Sequence, residues 1–153
     1  MKKKLRVSES ISLHKVQMTY DHIDFLYRLL SLRSKKKSIS HKNLPEFNLH
    51  KSFVLSKPYR YWFIIEEKQN YIGSAYISRF NNLGIHLIKP KKSILHDILI
   101  FLLNNVSPMK EIPSVRSKNF VINLSSKNKM YLEVVKRIGG KKLQETYSFE
   151  KKF

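Results

Sequence analysis

The order of hydrophobic periodicities predicts a mixed α/β domain, in which a largely antiparallel central sheet is flanked by helices. Three observations predict it. Three strand-like runs follow one another between residues 61 and 88, helix-period stretches lie on both sides of that block, and the last third of the chain alternates between helix and strand. The 153 residues, 42% of them hydrophobic, suffice for one domain spanning 1–153 with a core of its own, residues 1–9 forming a flexible basic N-terminus.

Residues 11–16 alternate apolar and polar, the pattern of a half-buried first strand. Thr19 then offers an N-cap to a helix running to about Arg33, whose Ile23, Leu26, Tyr27 and Leu30 fall at i, i+3, i+4 and i+7. Residues 34–45 carry no periodicity and end in Pro45, so they read as a surface connection. A second helix over 47–56 presents Leu49, Phe53 and Val54 and stops before Pro58.

The pattern then changes from period 3.6 to period 2. Residues 61–66 and 71–79 are aromatic and β-branched and flank a hairpin turn at 67–70, and 83–88 adds a third strand to make a meander. From Ser93, a candidate cap, a strongly apolar helix extends to Asn104 and Asn105. After a loop at 107–118, residues 120–124 form a short strand. Residues 127–138 form a helix with Tyr131, Val134, Val135 and Ile138 on one face, stopped by Gly139 and Gly140. Residues 141–149 are expected as a last strand. The expected order is βααβββαβαβ.

Composition removes several functions at once. Cysteine is absent, which excludes disulfides, thiolate metal sites and a cysteine nucleophile, and suits a cytoplasmic setting. No metal site is expected. The longest apolar run is far short of the roughly 20 residues that cross a bilayer, and the stretch after Lys2–Lys4 is too polar for a signal peptide. A net charge of +19 favours phosphate-bearing partners, yet only seven of the thirty basic residues are Arg and they are scattered. A phosphorylated small ligand fits this field better than a dedicated nucleic-acid surface.

The local sequence also carries a resemblance. Tyr59-Arg60-Tyr61-Trp62-Phe63-Ile64-Ile65 followed by Tyr71-Ile72-Gly73-Ser74-Ala75-Tyr76-Ile77, and later Asn123, Asn128 and Ile138-Gly139, resemble the GNAT superfamily of acyl-CoA N-acyltransferases. The resemblance covers nearly the whole chain, although Gly140 stands where the family's closing pattern has Phe. It implies acetyl-CoA as co-substrate, with the pantetheine arm pairing to the strand that carries Ile85, Leu87 and Ile88. It also implies a pyrophosphate loop directly afterwards. That loop reads Lys89-Pro90-Lys91-Lys92-Ser93 and lacks the family's glycines, which let backbone N–H groups approach phosphate. Either Lys89, Lys91, Lys92, Ser93 and the helix N-terminus replace them, or coenzyme binding has been lost and the domain is a binding module.

Acyl transfer to an amine needs a group to take the amine's proton, and His86 and Glu66 are the candidates. The family's acid, a tyrosine four residues before the closing glycine, falls on Val135; Tyr131, one turn earlier, is the substitute. Asn123 and Asn128 match coenzyme-contacting positions, though Asn128 is equally a good N-cap. Ser38, Ser40, His41, Phe47 and Tyr61 fall where the acceptor site is framed. The segment 40–45 loosely resembles transferases acting on amino sugars of nucleotide carriers. The expected reaction is therefore N-acetylation of a small anionic amine such as an amino-sugar nucleotide, by a chain of undetermined oligomeric state. An inactive coenzyme-free binding module and a basic nucleic-acid binder are the alternatives.

Overall fold

In the computed structural model, which describes residues 4–33 and 43–147, six strands form one sheet in sequence order. They are β1 (Lys4–Arg6), β2 (Ile11–Lys15), β3 (Tyr61–Glu67), β4 (Asn70–Ile77), β5 (Asn82–Leu87) and β6 (Val121–Ile122). Every neighbouring pair is antiparallel except β5 with β6. Four helices complete the fold: α1 (Tyr20–Ser31), α2 (Phe47–Leu55), α3 (Lys92–Asn105) and α4 (Lys129–Arg137).

The expected class holds and some boundaries shift. Lys4–Arg6, expected to be flexible, pairs with Ser12–His14 as an edge strand. The last expected strand does not form among the described residues of 141–149: 141–147 carry no strand, and Leu143 and Tyr147 are 76% and 74% exposed. The physical reason is the neighbour, since β6 has two residues and offers almost no ladder on which another strand could pair. The cap of α3 is Lys91 rather than Ser93, and it makes no side-chain cap bond.

The hairpin between β3 and β4 is tight. Lys68 and Gln69 both take positive φ, 46° and 67°, which is the two-residue geometry whose twist matches the strands. At Ile65/Glu66 the register slips, so Ile72 is extra on β4. Directly beside this bulge, Gly73 has no room for a side chain: a Cβ would come 2.2 Å from the His86 backbone oxygen.

Alternation sends side chains to two different layers. Leu13, Phe63, Ile65, Ala75, Ile77, Leu83 and Leu87 face α3 and α4, meeting Ile94, Leu95, Ile98, Leu99, Leu102, Tyr131 and Val134. At roughly 1.5–3 kcal/mol for each fully buried aliphatic side chain, the five α3 residues contribute on the order of 10 kcal/mol before entropy. The opposite face meets Val16, Ile23, Phe25, Leu26, Leu29 and Val54 from the α1–α2 layer, with Ile64 beneath them.

The α1–α2 layer departs from a purely apolar stripe. Thr19 caps α1 as expected, its hydroxyl accepting from the His22 N–H. On α2 the expected Leu49 and Phe53 are 63% and 45% exposed, while His50 and Val54 are buried. His50 tolerates burial because its Nε2 lies 3.2 Å from the Ile23 carbonyl oxygen, which accepts from it and ties α2 to α1.

Three side chains tie down the long crossover from α3 to β6: Arg60 donates to the Ser107 carbonyl, Arg116 to the Arg79 and Lys110 carbonyls, and Asn81 holds it from within. Asn81, fully buried with φ 61°, donates from Nδ2 to the carbonyls of Met109 and Ser117, and its Oδ1 accepts from the Met109 N–H. Its own carbonyl accepts from the Val121 N–H, the first rung of the β5–β6 pairing.

Candidate active site

β5 and β6 pair only at Asn82 with Val121 and at Leu83 with Ile122. Beyond that point β5 continues for four residues with no strand partner on that side. The Ile88 N–H donates back to Ile72 and Asn82 accepts from Ser78, so the even residues of β5 bond to β4. By alternation, the N–H and C=O groups of Ile85 and Leu87 point into the gap beside β6. The Leu87 N–H is met by the Tyr131 phenol, so an extended amide-bearing ligand can pair with the Ile85 N–H and with the Ile85 and Leu87 carbonyls.

The end of the gap is marked by α3, which begins directly after residues 88–91. Its first amides have no intrahelical acceptor, and the helix dipole adds partial positive charge. Lys91 Nζ lies 3.3 Å from Glu67 Oε2, and Lys92 Nζ lies 2.7 Å from Glu133 Oε2, so two of the expected phosphate lysines are already paired with acids. Lys89, Ile88 and Ser93 are exposed. On the far side of the gap stand Asn123, exposed just past β6, and Asn128 at the start of α4. Asn128 makes no side-chain cap bond, so the ordinary capping role does not occupy its amide.

Tyr131 rises from α4 to the same place. Its ring is 4% exposed, and the Leu87 backbone amide acts on its phenol oxygen. Burial pushes its pKa up to about 12 against that hydrogen bond and the nearby Arg33, so the hydroxyl keeps its proton. His86 lies on the other face of β5, in register with Ser74 of β4 and Ile64 of β3. Burial, with a further contribution from Arg33, pulls its pKa down to about 4. The imidazole is therefore neutral at pH 7, with a free lone pair but low basicity.

Glu66 is placed differently. It sits on β3, two strands from β5 and so about 10 Å away, and its carboxylate is bonded to Lys4 Nζ at 2.8 Å. His14 Nε2 lies 2.9 Å from the other carboxylate oxygen, close enough to pair if charged but not aligned for a hydrogen bond. The Lys4 bond, more than any other cause, holds Glu66 below the usual carboxylate range.

Among the expected acceptor residues, Phe47 packs at the α1–α2 junction, its ring 5.2 Å from that of Tyr27. Tyr61 points to the opposite face, stacked on Phe63 beneath the Arg60 guanidinium, because it is one residue out of phase with Trp62. Ser38, Ser40 and His41 lie outside the described residues. What the sequence reading passed over is Arg33, at the end of α1, which acts on Tyr59, His86 and Tyr131 together. Helix periodicity gives no signal for such a residue, because it lies just past the last turn.

An open cleft of about 480 Å³ lies elsewhere, at the start of α1, lined by Gln17, Thr19, His22, Phe25, Arg28 and Tyr71 among others. In it the Gln17 N–H donates to His22 Nδ1, so the proton sits on Nε2, 3.4 Å from the Tyr71 hydroxyl. It shares no residue with the β5–β6 gap.

Comparison with known proteins agrees with this geometry at the level of fold. No family model matches the chain. A curated relative, maturase K of Chara vulgaris, is 27% identical over 118 residues; the match covers 75% of this chain and 22% of the maturase. The chain thus spans about a fifth of that relative's length. Among solved structures, a domain from Methanocaldococcus jannaschii DSM 2661 is 18% identical with a TM-score of 0.65, over 89% of this chain and 91% of that one. The acetyltransferase of Salmonella typhimurium that modifies the N-terminal serine of ribosomal protein L7/L12 is 15% identical with a TM-score of 0.62, over 89% and 83%. The microcin C7 self-immunity acetyltransferase MccE, solved with acetyl-CoA and AMP, is 15% identical with a TM-score of 0.59, over 91% and 83%. The mixed sheet, in this strand order and flanked by helices, gives the chain the same fold as these acetyltransferase structures.

Proposed function

We propose that the chain is an acyl-CoA-dependent N-acyltransferase that acetylates a small anionic amine, with an amino-sugar nucleotide as the type of acceptor. The observation that carries the reading is the β5–β6 gap, where the outward-facing Ile85 N–H and the Ile85 and Leu87 carbonyls run up to the start of α3. The residues present suit the coenzyme even without a glycine loop: helix amides and Lys89 serve the pyrophosphate, and Asn123 and Asn128 face it across the gap. Acetyl-CoA supplies an activated acyl group as a thioester. The MccE neighbour, solved with acetyl-CoA and AMP, supports a nucleotide-bearing acceptor.

The protein's own part is positioning and proton handling. His86, neutral and beside the gap, accepts the amine's proton on its free ring nitrogen, directly or through water, as the carbon–nitrogen bond forms. Its low basicity makes it an orienting acceptor more than a strong base. Tyr131 keeps its O–H protonated and can return a proton to the departing sulfur as the carbon–sulfur bond breaks. Glu66 serves better in tying Lys4 of β1 to β3 than as the base, since its carboxylate is bonded to the Lys4 ammonium and lies two strands from β5. Lys91 and Lys92 must exchange Glu67 and Glu133 for phosphate, which weakens binding. A cytoplasmic enzyme would meet both substrates, and no helix among the described residues is long and apolar enough to cross a membrane.

Calorimetric titration with acetyl-CoA tests this reading. Saturable binding that weakens on Lys91→Gln/Lys92→Gln and tightens on Glu133→Gln is the expected result; no binding at millimolar coenzyme refutes transfer. A second reading, a basic nucleic-acid binder, is favoured by the net charge of +19, and a sequence relative described as a maturase leaves it standing. It requires oligonucleotide affinity that falls steeply with salt and ignores coenzyme.

A further inference from the structure

At the Asn82 end of β5, two turns are bound to each other. Arg116 Nη1 donates to the Arg79 carbonyl at 2.9 Å, and the Asn81 amide grips Met109 and Ser117, so the β4–β5 turn and residues 107–118 form one surface. The second turn is tight. Ile112 and Arg116 exchange backbone hydrogen bonds of 3.0 and 2.8 Å, leaving Pro113, Ser114 and Val115 as the tip. On these turns Phe80, Ile112 and Val115 are 53%, 42% and 58% exposed, and Pro113 is exposed with them. Apolar groups held at turn tips add nothing to the core behind them, and a cluster of them marks a contact surface.

The same surface collects cations that lie far apart in the chain. Because Arg60 donates to the Ser107 carbonyl, three of the seven arginines, Arg60, Arg79 and Arg116, stand at this end of the sheet with Lys110 and Lys118. Glu111 is the single acid between Asp97 and Glu133. Among the described residues none of these cations forms an ion pair, whereas Lys4, Lys91 and Lys92 all do. On a chain of net charge +19 a second copy is repelled, so the partner is anionic. The aliphatic tips decide which anion. Ile112 and Val115 have no π face on which a base could stack, and an acidic protein would need a matching pocket for each convex tip. An acyl layer admits such tips without a pocket, beneath phosphates that meet the cations.

We propose that the β4–β5 turn and residues 109–118 form a docking surface for an anionic lipid bilayer, with Phe80, Ile112 and Val115 entering the interface while the surrounding Arg and Lys side chains meet lipid phosphates. Three shallow apolar contacts bind weakly alone, and the cations complete the attachment, which stays reversible. The β5–β6 gap opens at the other end of β5, toward Leu87 and α3, so a docked chain keeps it clear of the bilayer. Docking of this kind does not depend on acyl transfer.

The full chain is sedimented with phosphatidylcholine vesicles made with and without phosphatidylglycerol. The expected result is binding to the anionic vesicles that falls with salt, and little to the neutral ones. Arg79→Gln/Lys118→Gln removes two cations whose side chains, unlike those of Arg60 and Arg116, hold no carbonyl of the crossover. It should weaken binding about thirtyfold, the attraction of two cations to an anionic leaflet. Lys136→Gln/Lys141→Gln removes the same charge at the end of α4 and should change binding much less. Because the chain has no cysteine, a fluorescent label at Val115→Cys reports the tip alone. Brominated acyl chains should quench it and leave a label at Lys136→Cys unquenched. No vesicle binding, equal binding to neutral vesicles, equal losses in the two charge variants, or no quenching at 115 overturns the surface. So does affinity confined to single-stranded oligonucleotides. Vesicle binding by a chain that binds no acetyl-CoA leaves docking standing and removes only acyl transfer, so the two failures are distinguishable.

Discussion

The two faces of the sheet are built to different ends. Under α3 and α4 the side chains are almost all aliphatic, and Leu13, Phe63, Ile65, Leu95 and Ile98 are sealed from solvent. Under α1 and α2 the sheet carries His14, Trp62, Glu66, Tyr71, Tyr76 and His86, and the helices add His22 and His50. One face holds the fold together. The other packs partly buried polar groups between sheet and helices, which a stability-only design would avoid.

That contrast can be broken experimentally, beginning where the effect should be largest. Leu95→Ala on the aliphatic face should cost about 2–5 kcal/mol in urea unfolding, since nothing can collapse into the space between α3 and the sheet; a cost below 1 kcal/mol would deny that this face carries the stability. Gly73→Ala should cost about 1–3 kcal/mol, because its Cβ meets backbone and not a movable side-chain end. The same substitution should also weaken acetyl-CoA binding by shifting β5.

The polar face should reveal itself through acid. Burial lowers the pKa of His22, His50 and His86, in each case as the first cause, to about 4 for His86. Between that folded value and the unfolded value near 6.5, the unfolded chain holds more protons than the folded one. Stability is therefore full above that window and lost as pH falls through it. The melting temperature should drop from pH 7 to pH 5, and His86→Gln should flatten the slope; an unchanged slope would mean that His86 is not buried in solution. The smallest effect belongs to Glu66→Gln, at most about 1 kcal/mol for a partly exposed pair, with transfer activity retained. Loss of activity there would move the proton acceptor from His86 to Glu66.

Periodicity made the meander, α1, α3 and α4 legible, because each has an apolar pattern that only one element type satisfies. It failed where an element's partner was missing. Residues 141–149 alternate as a strand should, but pairing depends on β6, whose brevity no local pattern discloses. On α2, choosing Leu49 and Phe53 for the core followed hydrophobicity; the chain instead buries His50, for which Ile23 provides the acceptor. The gap beside β5 was legible through resemblance alone, whereas Arg33 and the Arg79–Arg116 contact are products of tertiary approach. Tyr61 was placed with the acceptor, and strand alternation carries it to the far side.

Asn81 has a consequence for how wide the gap stands. With only two rungs of sheet pairing, β6 behaves as a cantilever whose support is the side chain that grips residues 109 and 117. Any change in that grip tilts β6 and retunes the aperture, and Arg116, bonded to the Arg79 and Lys110 carbonyls, is a second tie on the same crossover. The calibre of the opening is thus set from outside the opening, by one amide buried at the opposite end of β5.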